Sequence, residues 1–171
     1  GDCTVAIVAG VSVSHPVARG FQHQEGGIIS ADGACRPFDH KAQGTVKGDG
    51  AAAVVLVMGD DAQDRQIPAY ASILGSGVSN DGRRRVSFTA PSADGQAEAI
   101  RAAHARARTS PDTLAYIETH GTGTALGDPI EIEGLVRGLQ LNQNFGPVLL
   151  GSLKANVGHL DRSEEHTSEL Q

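Results

Sequence analysis

The sequence predicts an α/β enzyme core, and three observations carry the prediction. The chain holds 22 glycines against four Phe, two Tyr and no Trp, so its elements must pack closely and turn sharply. Short runs of Val, Ile, Leu and Ala recur at strand length, and between them lie segments with helical spacing and helix-start signals. With 171 residues, 39% of them hydrophobic and 20% charged, the chain has the size and balance of one globular domain or part of one.

Taken in order, Thr4 to Val13 (TVAIVAGVSV) is almost continuously apolar and β-branched, which predicts a strand buried on both faces. It opens without a cap or lead-in, so it reads as a cut through a larger sheet. Residues 26 to 50 are dense in Gly, Asp and Pro and predict a long irregular loop. Ala51 to Met58 predicts a second buried strand and Ala69 to Val78 a third adjacent to it, with Asp60 to Gln66 as the polar connection.

After a loop around Asn80-Asp81-Gly82, Ser92 to Arg108 predicts a helix, with Ser92 as N-cap and Ala97, Ile100 and Ala103 or His104 on one face. Leu114 to Glu118 predicts a strand that runs straight into His120-Gly121-Thr122-Gly123-Thr124. The next helix opens with Asp128 as N-cap, Pro129 at its first position and Glu131 reaching back. It turns Ile130, Leu135, Val136 and Leu139 inward and ends near Asn142-Gln143-Asn144. Val148 to Ser152 predicts the last strand, which delivers Lys154-Ala155-Asn156-Val157-Gly158-His159. Two histidines thus lie just beyond strand ends, where open α/β sheets place their chemistry. Arg162 to Gln171 is polar and aperiodic, and it resembles the translation of a sequencing-library adapter. It reads as a non-native tail, which leaves residues 1–161 as a partial domain.

Several function classes fall away on composition. The formal charge is −6, and there is no basic run beyond Arg83-Arg84-Arg85 and no interleaving of basic and aromatic residues, so nucleic acid is not the expected partner. No stretch approaches the roughly 18 to 20 apolar residues of a membrane span, and the start lacks the basic flank of a signal peptide. A cytoplasmic location is expected. Cys3 and Cys35 are too few for a disulfide framework, and the histidines lack the H-x-x-x-H spacing, so no metal site is expected. Gly121, Gly123 and Gly127 form a pattern one residue longer than the dinucleotide fingerprint, and no Walker lysine follows. The nucleophile elbow G-x-S-x-G of serine hydrolases is missing too, because Ser152 is followed by Leu153-Lys154.

What remains is a pair of histidines, His120 and His159, each after a predicted buried strand and each surrounded by Gly, Thr or Asn. His15, His23, His40, His104 and His166 read as structural or idle. Paired imidazoles can donate N–H bonds to a developing oxyanion or enolate.

The stretches ETHGTGTALGDPIEIEGL, GSLKANVGHLD, ISADGACRPFDHKAQGTVKGDG and VSNDGRRRVSFTAPSADGQAEAIRAA together resemble the downstream portion of β-ketoacyl synthase domains of modular polyketide synthases. The resemblance covers residues 1 to 161. It implies the thiolase-like fold, with two pseudo-equivalent halves in five αβαβα layers, of which this chain would hold the end of the first and the start of the second. It also implies a decarboxylative Claisen condensation of an acyl thioester with a malonyl-type extender on acyl carrier protein, in a domain that is a homodimer when intact. On the same basis His120 and His159 assist decarboxylation, and Thr122 and Thr124 line the phosphopantetheine channel. Lys154 orients the site through a charged partner beyond Asp161, while Asp128 is structural. The resemblance implies no cofactor, phosphopantetheine entering as the arm of the carrier protein. The family's nucleophilic cysteine belongs to a TACSSS-type motif upstream of Thr4. Neither Cys3 nor Cys35 matches it, so this chain by itself is expected to be inactive. The alternative expectation is a non-catalytic relative that binds carrier protein or dimerises. Fatty-acid condensing enzymes share the histidine pair, but the KAQGTVKGDG and APSADGQAEAI stretches favour the polyketide type.

Overall fold

The computed structural model describes residues 3–15, 20–21, 23–80, 92–141 and 146–161. The expected turns at Asp81-Gly82 and at Asn142 to Asn144, and the tail after Asp161, lie outside these residues. The described elements run β1 (Val5–Ser12), β2 (Gly50–Val57), α1 (Gly59–Asp64), α2 (Ala93–Ala107), a single 3₁₀ turn (Pro111–Thr113), β3 (Tyr116–Glu118), α3 (Gly127–Leu139), β4 (Leu149–Gly151) and α4 (Lys154–Val157). No described helix is long and apolar enough to cross a membrane.

The first apolar run forms its strand, but in a different setting from the one expected. β1 pairs antiparallel with β2, from Val5 opposite Val57 to Ser12 opposite Gly50. Both strands are largely open to solvent: Ile7 is 76% exposed and Val11 69%. The burial on both faces that the composition predicted is therefore not realised here. Continuous hydrophobicity records what a strand can bury, while burial itself requires a covering layer.

Ala69 to Val78 is not a strand. It runs extended over α2, with Gly75 and Gly77 against the helix backbone, and a Cβ on Gly77 would come 1.9 Å from the Ala99 carbonyl. Its polar groups are met by the helix instead of a strand ladder, Arg106 Nη1 donating to Ser76 O at 2.6 Å and Ser79 Oγ to Gly95 O at 2.7 Å. The partner predicted for β2 is thus replaced by β1. The polar connection after β2 folds as the short helix α1.

α2 begins as the sequence dictates, with the Ser92 hydroxyl accepting the Gly95 N–H at 3.2 Å, and it ends at Arg108 in the left-handed conformation. It packs against α3 through small residues. A Cβ on Gly138 would lie 2.9 Å from Ile100 Cβ, and Ala97 and Leu139 are the buried apolar side chains among the described residues. Arg137 ties the rim of the contact by ion pairs with Asp94 and Glu133. β3 and β4 pair in parallel, Tyr116 opposite Leu149 and Glu118 opposite Gly151. The register of these two short strands matters because the loops carrying His120 and His159 leave from their ends.

The buried set is otherwise polar: Ser30, Thr45, Thr119, Asp128 and Lys154. Backbone and side-chain hydrogen bonds, more than apolar contact, therefore organise the region around the histidines.

Candidate active site

His120 leaves β3 two residues after its last position, and His159 follows the short helix α4 that begins just after β4. The fold brings the two rings together at a centroid separation of 5.6 Å, nearly perpendicular at 89°. The two residues have 38 residues of sequence between them, and each stands just beyond a strand end. The backbone N–H of Asp161 donates to His159 Nδ1 at 3.1 Å. That bond leaves Nδ1 without a proton in the neutral ring, so the proton sits on Nε2 and the ring is an N–H donor there.

The His120 loop is held by carboxylates that accept backbone N–H groups. Glu131 Oε1 accepts from His120 at 2.6 Å and Oε2 from Gly121 at 2.9 Å. Burial pushes the Glu131 carboxyl above its ordinary value; these two N–H bonds pull the other way, the Asp128 charge pushes upward and Lys154 pulls down. Asp128 Oδ1 accepts from Gly123 at 3.0 Å and its Oδ2 from Phe38 at 2.7 Å.

These contacts correct the helix start read from the sequence. α3 begins at Gly127, with Asp128 inside the first turn, and neither Asp128 nor Glu131 caps it. The capping oxygen is Thr124 Oγ1, which accepts the Gly127 N–H at 3.0 Å. Asp128 and Glu131 turn instead toward the loop that precedes the helix: at the helix end the Gly127 and Asp128 N–H groups are already accepted by Thr124 and Pro129 has none, while the His120, Gly121 and Gly123 N–H groups of the loop find their acceptors in these carboxylates. The macrodipole of α3 adds to the stabilisation of both carboxylates near its start.

The loop between β1 and β2 is the second support. Ser30 N donates to Thr45 O at 2.7 Å and Thr45 N to Ile28 O at 2.8 Å, which folds the loop on itself. One side of it meets the His120 loop, Gly44 N donating to Gly123 O at 2.8 Å. The other side meets the His159 loop: His159 N donates to Val46 O at 2.6 Å, and Gly48 N to His159 O at 3.0 Å. A Cβ at Gly48 would stand 2.0 Å from the Val157 carbonyl, so only glycine permits this approach. One strap thus grips both histidine loops, a role that its composition as an irregular loop did not signal.

The other predicted site residues take these places. Thr122 and Thr124 have their hydroxyl oxygens 3.3 Å apart and are partly buried, Thr124 being shared with the helix start. Lys154 is 7% exposed at the first position of α4, and its charge acts on the Glu131 carboxyl. The charged partner expected beyond Asp161 falls outside the described residues. Cys35 is half-buried with its sulfur 3.7 Å from Thr122 O and 3.8 Å from Thr45 Oγ1, and Cys3 is exposed.

Comparisons with known proteins give the family. Residues 70–164 match the family "Beta-ketoacyl synthase, C-terminal domain" and residues 1–62 the corresponding N-terminal domain. The chain is 43% identical over 166 residues to a phenolphthiocerol/phthiocerol polyketide synthase of Mycobacterium tuberculosis, spanning 94% of this chain and 11% of that protein. It is 39% identical to polyketide synthase PksN of Bacillus subtilis, over 94% of this chain and 3% of that protein. Among solved structures, ketosynthase twelve of the bacillaene polyketide synthase from Bacillus amyloliquefaciens superposes with a TM-score of 0.88 at 37% identity, over 94% of this chain and 29% of that one. The chain therefore spans about a tenth or less of these curated relatives and under a third of the solved domain. With matches to both family models in order and a superposition on part of a solved ketosynthase, the chain belongs to the β-ketoacyl synthase family and is a ketosynthase portion of the polyketide synthase type, with the thiolase-like α/β fold.

Proposed function

We propose that residues 1–161 supply the histidine side of a condensing site, in which an acyl group on a cysteine outside this chain is extended by a malonyl-type unit carried on acyl carrier protein. The observation that carries the reading is the His120–His159 pair at 5.6 Å. The bond from the Asp161 N–H to Nδ1 directs the His159 Nε2–H toward an acceptor, and a thioester oxygen set between the rings would receive N–H bonds from both.

In the reaction the bond between the extender's α-carbon and its carboxylate breaks and CO₂ leaves. The electron pair passes into an enolate whose oxygen the imidazoles stabilise. The enolate carbon then attacks the acyl thioester, a carbon–carbon bond forms and the cysteine thiolate departs. Donors fixed in advance around a developing oxyanion each lower the barrier by a few kcal/mol. Lys154 and Glu131 keep the two loops and their local charge in register. Thr122 and Thr124 line the way in for the phosphopantetheine arm, which belongs to the carrier protein; the chain needs no metal or cofactor of its own. The intact domain acts in the cytoplasm as a homodimer, and the chain alone, lacking the nucleophile motif, does not condense.

The test is decarboxylation of a malonyl thioester by a complete domain that contains this segment. His120→Ala and His159→Ala are each expected to lower it by about 100-fold or more, with acylation of the cysteine retained. A complete domain that binds carrier protein but decarboxylates nothing would establish the non-catalytic alternative instead.

A further inference from the structure

β3 and β4 are each three residues long, yet the loops leaving them must present His120 on one side and Lys154 and His159 on the other in a fixed relation. The ladder itself contributes little beyond Gly151, whose carbonyl accepts both the Thr119 N–H at 2.9 Å and the Thr119 hydroxyl at 2.8 Å. Past that point the ladder ends, and a side chain links the two segments. Glu118 Oε1 accepts the backbone N–H of Leu153 at 2.6 Å. Leu153 is the N-cap position of α4, which has no side-chain cap of its own.

The same carboxylate is held from its other oxygen by the Tyr116 hydroxyl, two residues earlier on β3. That hydrogen bond to Glu118 pushes the Tyr116 phenol above its ordinary value. The phenol reaches Glu118 by crossing Gly151: a Cβ there would lie 2.1 Å from the Tyr116 oxygen. Ser152 adds a bond in the opposite sense, its hydroxyl donating to Gly121 O at 3.1 Å. Tyr116, Glu118 and Leu153 therefore form a chain of contacts from β3 over the glycine of β4 to the start of the turn that carries Lys154.

We propose that Glu118 is a positioning residue of the condensing site: its carboxylate, fixed by Tyr116, holds the Leu153 amide and thereby sets where Lys154 and His159 stand relative to His120. The proposal rests on the condensing reading given above. It assigns Glu118 no contact with substrate. Its effect is on geometry, and small displacements are costly there, since a misplacement of about 1 Å at a reacting centre costs on the order of 100-fold in rate.

The experiment uses the complete synthase domain containing this segment, as parent, Glu118→Ala, Glu118→Gln and Gly151→Ala. Malonyl-thioester decarboxylation, cysteine acylation and amide hydrogen exchange at Leu153 are measured on each. Glu118→Ala is expected to lower the decarboxylation kcat about tenfold or more with KM within about twofold, to leave acylation unchanged and to speed exchange at Leu153. Glu118→Gln keeps an acceptor oxygen and is expected to restore most of both. Gly151→Ala, which displaces the phenol, is expected to fall between them. The proposal is overturned if Glu118→Ala decarboxylates like the parent, or if decarboxylation and acylation fall together without rescue by Glu118→Gln, which would mark general damage to the fold. If the parent itself does not decarboxylate, the condensing reading has failed. Exchange at Leu153 then still decides the clamp, protected in the parent and Glu118→Gln and unprotected in Glu118→Ala if the clamp exists, and equal in all three if it does not.

Discussion

Glu131 holds the backbone of His120, its Oε1 accepting the histidine N–H at 2.6 Å from a helix eleven residues further along the chain. Because burial lifts the Glu131 carboxyl above its ordinary value of 4.5, the folded state takes up a proton more readily than the unfolded one. The stability from this group is fully present below the unfolded value and is lost as pH rises through the raised folded value. The Glu131→Gln variant, neutral throughout, is expected to gain on the parent in melting temperature as pH rises from about 4.5 upward. Melting temperatures that run parallel with pH for the two proteins would contradict this.

Asp128 accepts two N–H groups from two different segments, Phe38 and Gly123, while almost wholly buried. Asp128→Ala leaves both donors unsatisfied, each at about 1–3 kcal/mol, so a loss of roughly 2–6 kcal/mol is expected in denaturant unfolding. Asp128→Asn keeps one acceptor and is expected to lose about half as much.

Gly138 is where α3 touches α2, with Ile100 Cβ 2.9 Å from the position of a Cβ. Alanine has the better helix propensity by about 1 kcal/mol, but the neighbouring atoms are a branched side chain on a packed helix. Overpacking is expected to win, giving Gly138→Ala a net loss of about 1 kcal/mol and Gly138→Val more. Ile100→Val in the Gly138→Ala background should recover part of it, and a double-mutant cycle measures the coupling.

The β1–β2 ribbon exposes Ile7, Val11, Val13, Val54 and Val55, and a two-stranded ribbon leaves backbone groups open along its outer edges. Expressed by itself, the chain is expected to bind a hydrophobic dye and to elute as aggregates in size exclusion. Replacing Ile7 and Val11 together by Thr and Lys should raise the soluble fraction. A monomeric peak and a cooperative thermal transition for the unaltered chain would refute the expectation.

Much of the local structure was legible along the chain. Ser92 caps α2 because its hydroxyl is followed three residues later by a free N–H, a relation internal to four residues. The two histidine motifs were readable for a similar reason: each couples a short apolar strand to a glycine-rich exit, and both properties are local. Asp128 and Glu131 show where local reading stops. Their spacing carries a helix-start signature, but the N–H groups they accept belong to loops that only folding brings within reach. Ala69 to Val78 shows the same limit, since its composition suits a strand and its backbone found a helix instead.

The sequence by itself determined which segments become strands and helices at β1, β2, α2 and α3, which family pattern they follow, and that His120 and His159 each stand just beyond a strand motif. The tertiary structure alone decided that the rings meet at 5.6 Å, that the β1–β2 loop straps both histidine loops, and that Glu118, Asp128 and Glu131 commit oxygens to backbone amides outside their own element. The physical reason is range. Propensity, capping and hydrophobic pattern act over a few residues, whereas a buried N–H must find its acceptor in space, wherever in the sequence that acceptor lies.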